Sequence, residues 1–184
     1  MKVLIACEFS GIIREAFRKR GHNAWSCDFL TSEISGSHIQ DDVLNHLDKS
    51  WNLMIAHPPC TYLAVSGARW FKFRMKEQKE ALIFVQKLMD ADIPKICIEN
   101  PVSVISTKIR KPDQIIQPFM FGHGETKKTC LWLKNLPLLT PTNIVNGREG
   151  KVWRMAPSPD RWKNRSRTYL GIAEAMAKQW SEKV

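Results

Sequence analysis

Short apolar strands alternating with helices predict an α/β fold: a doubly wound, mostly parallel, Rossmann-like sheet in one domain spanning residues 1–184. Three observations predict it. The chain opens with an apolar run, a glycine-containing turn, an amphipathic helix, a second strand and an acid, which is how a doubly wound nucleotide-binding sheet begins. Two further apolar runs, NLMIAH and KICIEN, flank a long helical repeat. A chain of this length can bury roughly 70% of its unfolded surface around one core.

The elements follow in order. KVLIAC is the first strand and leads into Glu8-Phe9-Ser10-Gly11. In IIREAFRKRG, Ile12, Ile13, Ala16 and Phe17 share a face; Arg18, Lys19 and Arg20 suit a helix C-terminus, and Gly21 ends it. Asn23 to Cys27 forms the second strand, with Asp28 at its tip. HIQDDVLNHL sets Asp41 and Asp42 before a brief helix, and NLMIAH is the next strand. In KEQKEALIFVQKLMDAD, Ala81, Leu82, Val85, Leu88 and Met89 recur at helical spacing. KICIEN and TCLWLKNL read as later strands, GIAEAMAKQW as a C-terminal helix, and NGREGKVWRMAPSPDRWKNRSR as the one long irregular segment.

Composition narrows the classes. Five cysteines (Cys7, Cys27, Cys60, Cys97, Cys130) fall singly, which argues against a zinc ribbon or a disulfide framework, and no metal site is expected. Cys60 alone occupies a turn-like setting. Neither a signal peptide nor a membrane-spanning run is evident, so a soluble, cytoplasmic protein with no membrane partner is expected. The formal net charge of +10 suits either a polyanionic partner or a solvated basic surface. Its distribution tilts toward nucleic acid: Arg148, Lys151, Arg154, Arg161, Lys163, Arg165 and Arg167 are interleaved with Trp153 and Trp162, against Glu149 and Asp160 alone.

Three unusual tips fall at predicted strand ends, where ligand crevices form: EFSG, HPPC and ENP. Over about the first hundred residues they resemble, in order and spacing, the motifs of cytosine-5 DNA methyltransferases. Cys7 to Gly11 is similar to the first, cofactor-holding motif; Pro58-Pro59-Cys60, with Ser66 beyond, is similar to the nucleophile loop; Glu99-Asn100 is similar to the glutamate motif. Ser166-Arg167-Thr168-Tyr169 and GIAEAMA look like the family's closing motif and helix, and small phage-type members share this ending and the FGHGETK stretch.

The resemblance implies a class I methyltransferase fold, S-adenosylmethionine as cofactor, and methyl transfer to carbon 5 of cytosine through a covalent adduct at carbon 6. Cys60 would be the nucleophile and Glu99 the acid acting on the base, accounting for both catalytic positions. Phe9, Gly11, Asp28, Asp41 and Pro58 would bind the cofactor. For the pair after the third strand tip, Asp41 is favoured over Asp42, and plain helix capping competes with either. Pro59, Asn100, Lys127, Arg165 and Arg167 would meet the substrate. Lys127 stands where the family has Gln-x-Arg-x-Arg, whose glutamine and second arginine are absent here.

Two departures bear on substrate. Ile13 replaces a second glycine of the first motif. In place of a large target-recognition domain there is only a basic segment at about 143–167, able to contact phosphates and to stack bases on Trp153 or Trp162. Duplex DNA at a short site, single-stranded DNA and a free cytosine nucleotide such as dCMP all remain open. Arg69, Lys72 and Arg74 are either phosphate ligands for a nucleotide or a solvated helix start. A catalytically weak nucleic-acid-binding protein on the same scaffold is the reading from another class. Neither oligomeric state nor target sequence is legible.

Overall fold

The computed structural model describes residues 1–181, apart from the Trp153 side chain. In chain order the elements are β1 (Lys2–Ala6), α1 (Ile12–Lys19), β2 (Asn23–Asp28), β3 (His38–Gln40), β4 (Leu53–Ala56), α2 (Met75–Met89), β5 (Lys95–Pro101), α3 (Ile105–Lys108), β6 (Gln114–Ile116), β7 (Thr129–Lys134), α4 (Lys151–Arg154), α5 (Arg161–Ser166) and α6 (Leu170–Ser181). Three 3-10 segments, Val43–His46, Val65–Phe73 and Pro118–Met120, complete them.

One seven-stranded sheet carries the order β3-β2-β1-β4-β5-β7-β6. The first five strands pair in parallel; β7 runs antiparallel to both β5 and β6. This is the expected α/β doubly wound, mostly parallel architecture. The strand order reverses direction between β1 and β4, the switch point at which such sheets open a crevice.

Alternation along the strands builds the two faces. Val3 and Ile5 pair in register with Leu53 and Ile55, and all four point to the side covered by α1 and α6. Leu4, Ala6, Met54 and Ala56 point to the other side, where Val85 and Leu88 of α2 close over them. These strand residues are fully buried, so each of the larger apolar side chains among them contributes roughly 1.5–3 kcal/mol to stability. A charge at Ile55 would face that core unpaired and break it.

Helix α6 lies close against its neighbours. A Cβ at Gly171 would sit 1.9 Å from the Phe121 carbonyl oxygen, so only glycine permits this approach, and the Gly171 N–H donates to His123 Nε2 at 3.1 Å. Arg14 of α1 is wholly buried, and its guanidinium donates to Ser26 Oγ, Ser32 Oγ and the Ile34 and Ser35 carbonyls while Nε pairs with Glu15. The loop after β2 is thus wrapped around one cation, which satisfies its backbone and puts Glu33 beside the tip of β1 through a Glu33 N–H to Phe9 carbonyl bond of 2.9 Å.

Candidate active site

Register sets the site. Ala6 pairs with Cys27 on one side and Ala56 on the other, and Ala56 pairs with Ile98, so Asp28 at the end of β2, Glu99 near the end of β5, and Phe9 and Cys60 just past β1 and β4 all lie at the carboxyl edge of adjacent parallel strands. Beyond β4, Pro58 is buried while Pro59 and Cys60 are exposed. The Cys60 carbonyl accepts from Leu63 N–H at 3.0 Å and Ala64 N–H at 2.9 Å, which turns the chain sharply after the cysteine.

The loops after β4 and β5 are tied together. Asn100 is buried, and its Nδ2 donates to the Pro58 carbonyl at 2.8 Å. Val65 N–H donates to the Val102 carbonyl and Val104 N–H to the Leu63 carbonyl, each at 3.0 Å, around a bridge between Ala64 and Ser103. Neither loop can move without the other.

His57, the residue before the two prolines, faces Glu99. Its Nδ1 lies 2.8 Å from Glu99 Oε2. Burial favours the neutral carboxyl, but the His57 hydrogen bond and the charges of His57 and Lys127 outweigh it and hold Glu99 below its ordinary range. Glu99 is therefore ionised at neutral pH and can only accept, so Nδ1 donates. The other ring nitrogen, Nε2, is buried with no hydrogen-bond partner among the described residues.

Electrostatics joins the cysteine to this pair. Desolvation pushes the Cys60 thiol up, although the residue as a whole is exposed, because the surrounding loops crowd its sulfur. The Glu99 charge raises it further, while Lys127 and Arg165 draw it down. Lys127 precedes β7, whose Thr129 pairs with Pro101, and so reaches the end of the sheet that carries Glu99. Its Nζ donates to the Arg165 carbonyl at 3.0 Å. The fold thus gathers Cys60, Glu99, Asn100, Lys127 and Arg165.

Arg167 is placed elsewhere. It makes a paired contact with Glu33, Nε to Oε2 at 2.9 Å and Nη2 to Oε1 at 2.5 Å, and also meets Asn164. The basic segment is consequently stitched down at both ends: the Arg148 guanidinium stacks 3.6 Å from the Phe119 ring centroid, and the Trp162 ring lies 6.0 Å from that of Phe9. The Trp153 side chain lies outside the described residues.

On the β1 side, Glu8 is the organising group. Its Oε1 accepts from Ile13 N–H at 2.7 Å and Oε2 from Arg14 N–H at 3.3 Å, covering the first free donors of α1. Gly11 has φ of +73°, and a Cβ there would meet Arg14 Nη2 at 2.8 Å; the requirement for glycine arises within the protein itself. Ile13 points into the core, away from the turn. Asp28 accepts from Leu30 N–H at 2.9 Å, and burial pushes its carboxyl up. Asp41 is engaged locally, Oδ1 with the Asp42 N–H at 2.7 Å and Oδ2 with His46 at 2.8 Å, while Asp42 caps the following 3-10 turn.

These residues fit an adenosyl group in their chemistry: a half-buried acceptor at the tip of β2 for ribose hydroxyls, and the Phe9 and Trp162 rings for a flat heterocycle. The sequence assigns no role to His57, Glu8, Arg14 or Glu33, although Glu8 and His57 are the ionisable residues that open the EFSG and HPPC tips.

No protein-family model matches the sequence, and no curated protein matches it. Similarity appears among solved structures. A prophage-encoded E. coli protein assigned as a DNA modification methyltransferase superposes with a TM-score of 0.53 at 12% identity, over 79% of this chain and 52% of its own. The Entamoeba histolytica methyltransferase EhMeth superposes with a TM-score of 0.54 at 14% identity, over 86% of this chain and 60% of its own. The fold is that of these methyltransferases, and the chain spans between half and three fifths of their length.

Proposed function

We propose that the protein transfers a methyl group from S-adenosylmethionine to carbon 5 of cytosine in DNA, with Cys60 as nucleophile and Glu99 as the group that holds the base. The observation that carries this reading is the joining of two loops. Asn100, next to Glu99, hydrogen-bonds the Pro58 carbonyl two residues before Cys60, and the Glu99 charge reaches the Cys60 sulfur. Two strand-end groups that act on one pyrimidine ring need such a tie.

Carbon 5 of cytosine is a poor nucleophile. Addition of the Cys60 thiolate to carbon 6 forms an S–C bond and moves the ring π electrons toward carbon 5, which would then take the methyl group as the methyl–sulfonium bond breaks and a neutral thioether leaves. Loss of the carbon 5 proton to solvent water and expulsion of the Cys60 thiolate restore the aromatic ring. The ionised Glu99 accepts from the exocyclic amine, as carboxylates do with cytosine. Sharing a proton with the ring nitrogen requires Glu99 to take one up when the base enters, and exclusion of water by that base favours it. Lys127 and Arg165 stabilise the thiolate. Phe9, Asp28 and Pro58 line the place for the cofactor, which supplies a methyl group carried on a sulfonium.

The deciding assay offers labelled S-adenosylmethionine with duplex DNA, single-stranded DNA and dCMP separately. Label on cytosine carbon 5 in a polymer is the expected result. Transfer to dCMP alone moves the substrate to a nucleotide, and transfer to none removes the enzyme reading. Cys60→Ala should abolish transfer with cofactor binding retained, and 5-fluorocytosine in the substrate should trap an adduct on Cys60.

A further inference from the structure

The nine-residue 3-10 segment Val65–Phe73, which starts five residues after Cys60, has no buried residue. Runs of 3-10 helix beyond three or four residues are uncommon, and a segment of this length with nothing in the core calls for a partner. Its outward side chains are aromatic and basic. Trp70 is 50% exposed and Phe73 is 68% exposed. Both exposed rings carry a cation, as does nearby Tyr62: Arg69 lies 5.1 Å from the Trp70 ring centroid, Lys72 lies 4.8 Å from that of Phe73, and Arg74 lies 5.6 Å from that of Tyr62. From Thr61 to Lys76 the sequence holds Arg69, Lys72, Arg74 and Lys76 and no carboxylate.

We infer that this segment is a docking surface for unpaired DNA, with Trp70 and Phe73 stacking bases and Arg69, Lys72 and Arg74 holding the phosphates. The inference deepens the reading of DNA as substrate and rests on it. Charge complementarity selects a polyanion, and exposed rings select one that offers base faces. Spacing selects single strands over duplex. Residues three apart in a 3-10 helix eclipse one another, so Trp70 and Phe73 form a ledge, with ring centroids 6.5 Å apart and planes tilted by 52°. That is about twice the 3.4 Å rise per base of a stacked strand, so each ring can take a base only where neighbouring bases have separated. A closed duplex presents no such faces.

The surface is fixed relative to the candidate catalytic pair. Val65 N–H is bonded to the Val102 carbonyl, and Ala64 bridges Ser103, so the start of the segment is anchored to the loop that follows Glu99. That start adjoins Cys60, whose carbonyl accepts from Ala64 N–H at 2.9 Å.

The test uses a fluorescein-labelled oligothymidylate, which contains no cytosine and so does not depend on the methyl-transfer chemistry. Anisotropy titration of the full chain should show that the doubly substituted Trp70→Ala, Phe73→Ala protein binds at least tenfold more weakly, with the same salt dependence. Arg69→Gln with Lys72→Gln should weaken binding and flatten the slope of log affinity against log salt by roughly 1.4, about 0.7 for each lost phosphate contact on a single strand. A duplex competitor should be weaker than the single strand. Unchanged binding by both variants would overturn the inference, as would equal competition by duplex. Sedimentation showing a dimer that the ring substitutions dissociate would assign the surface to a second copy instead. A protein that binds oligothymidylate through these rings yet never methylates cytosine would refute the proposed activity and leave this surface standing.

Discussion

His57 Nδ1 donates to Glu99 Oε2 across 2.8 Å, joining the tips of two neighbouring parallel strands beside the carboxylate proposed to hold cytosine. This contact, with Lys127, holds the carboxyl below its ordinary value of 4.5 against the opposing pull of burial. A carboxylate with a depressed folded-state pKa contributes stability that is present above the unfolded value and is lost as pH falls through the folded one. The stability difference between wild type and Glu99→Gln, from urea midpoints, should therefore shrink as pH drops from about 6 to about 3. His57→Ala should remove roughly 1.5–3 kcal/mol at neutral pH, the range for a hydrogen bond to a charged group, and should move the Glu99 titration upward by NMR. An unmoved titration would detach His57 from Glu99.

Cys60 is the one exposed cysteine among the described residues, so alkylation kinetics report on it directly. Glu99 raises its thiol and Lys127 lowers it. Glu99→Gln should shift the pH midpoint of iodoacetamide reaction down and speed the reaction several-fold at neutral pH, whereas Lys127→Gln should shift the midpoint up and slow it. Opposite signs in the two variants are the discriminating feature. A shared direction would mean that the two charges do not bear on this sulfur.

Much of this was legible in the sequence, for identifiable reasons. The central strands β1, β4 and β5 are buried on both faces, so they stand out as unbroken apolar runs, and the tips that follow them were marked by EFSG, HPPC and ENP. The short edge strand β6 was invisible because Gln114–Ile116 offers three residues and no alternation. The reversed direction of β7 was hidden too, because apolar runs carry no sign of orientation. Least legible were contacts between distant segments. Nothing periodic links Trp162 to Phe9 or Arg167 to Glu33, so the fastening of the basic segment against the tip of β1 and the loop after β2 could not be read from the sequence.

That fastening predicts a division of labour among the basic residues. Arg167→Gln removes the paired contact with Glu33, which is about one third exposed on each side and so worth little as an ion pair. Thermal stability should change by less than about 1 kcal/mol. Retention of S-adenosylmethionine, measured by calorimetry, should weaken several-fold, because the segment bearing Trp162 is no longer held against Phe9. Unchanged cofactor affinity would show that the segment takes no part in covering that end.

Asn100 supplies the sharpest separation of positioning from chemistry. Its side chain is buried, touches Pro58 and lies outside the proposed bond-making steps. Asn100→Ala leaves the Pro58 carbonyl without its donor, a cost of about 1–3 kcal/mol in unfolding free energy. It also releases the tie between the two loops, and a misplacement near 1 Å at a reacting centre can cost about a hundredfold in rate. Adduct formation with a 5-fluorocytosine oligonucleotide should fall by that order while iodoacetamide still reacts with Cys60 at close to the wild-type rate, since the thiol keeps its charged neighbours. If both reactions fall together, the asparagine is a fold residue only. If neither falls, the two loops hold their arrangement through the backbone bonds at Val65 and Val104 alone.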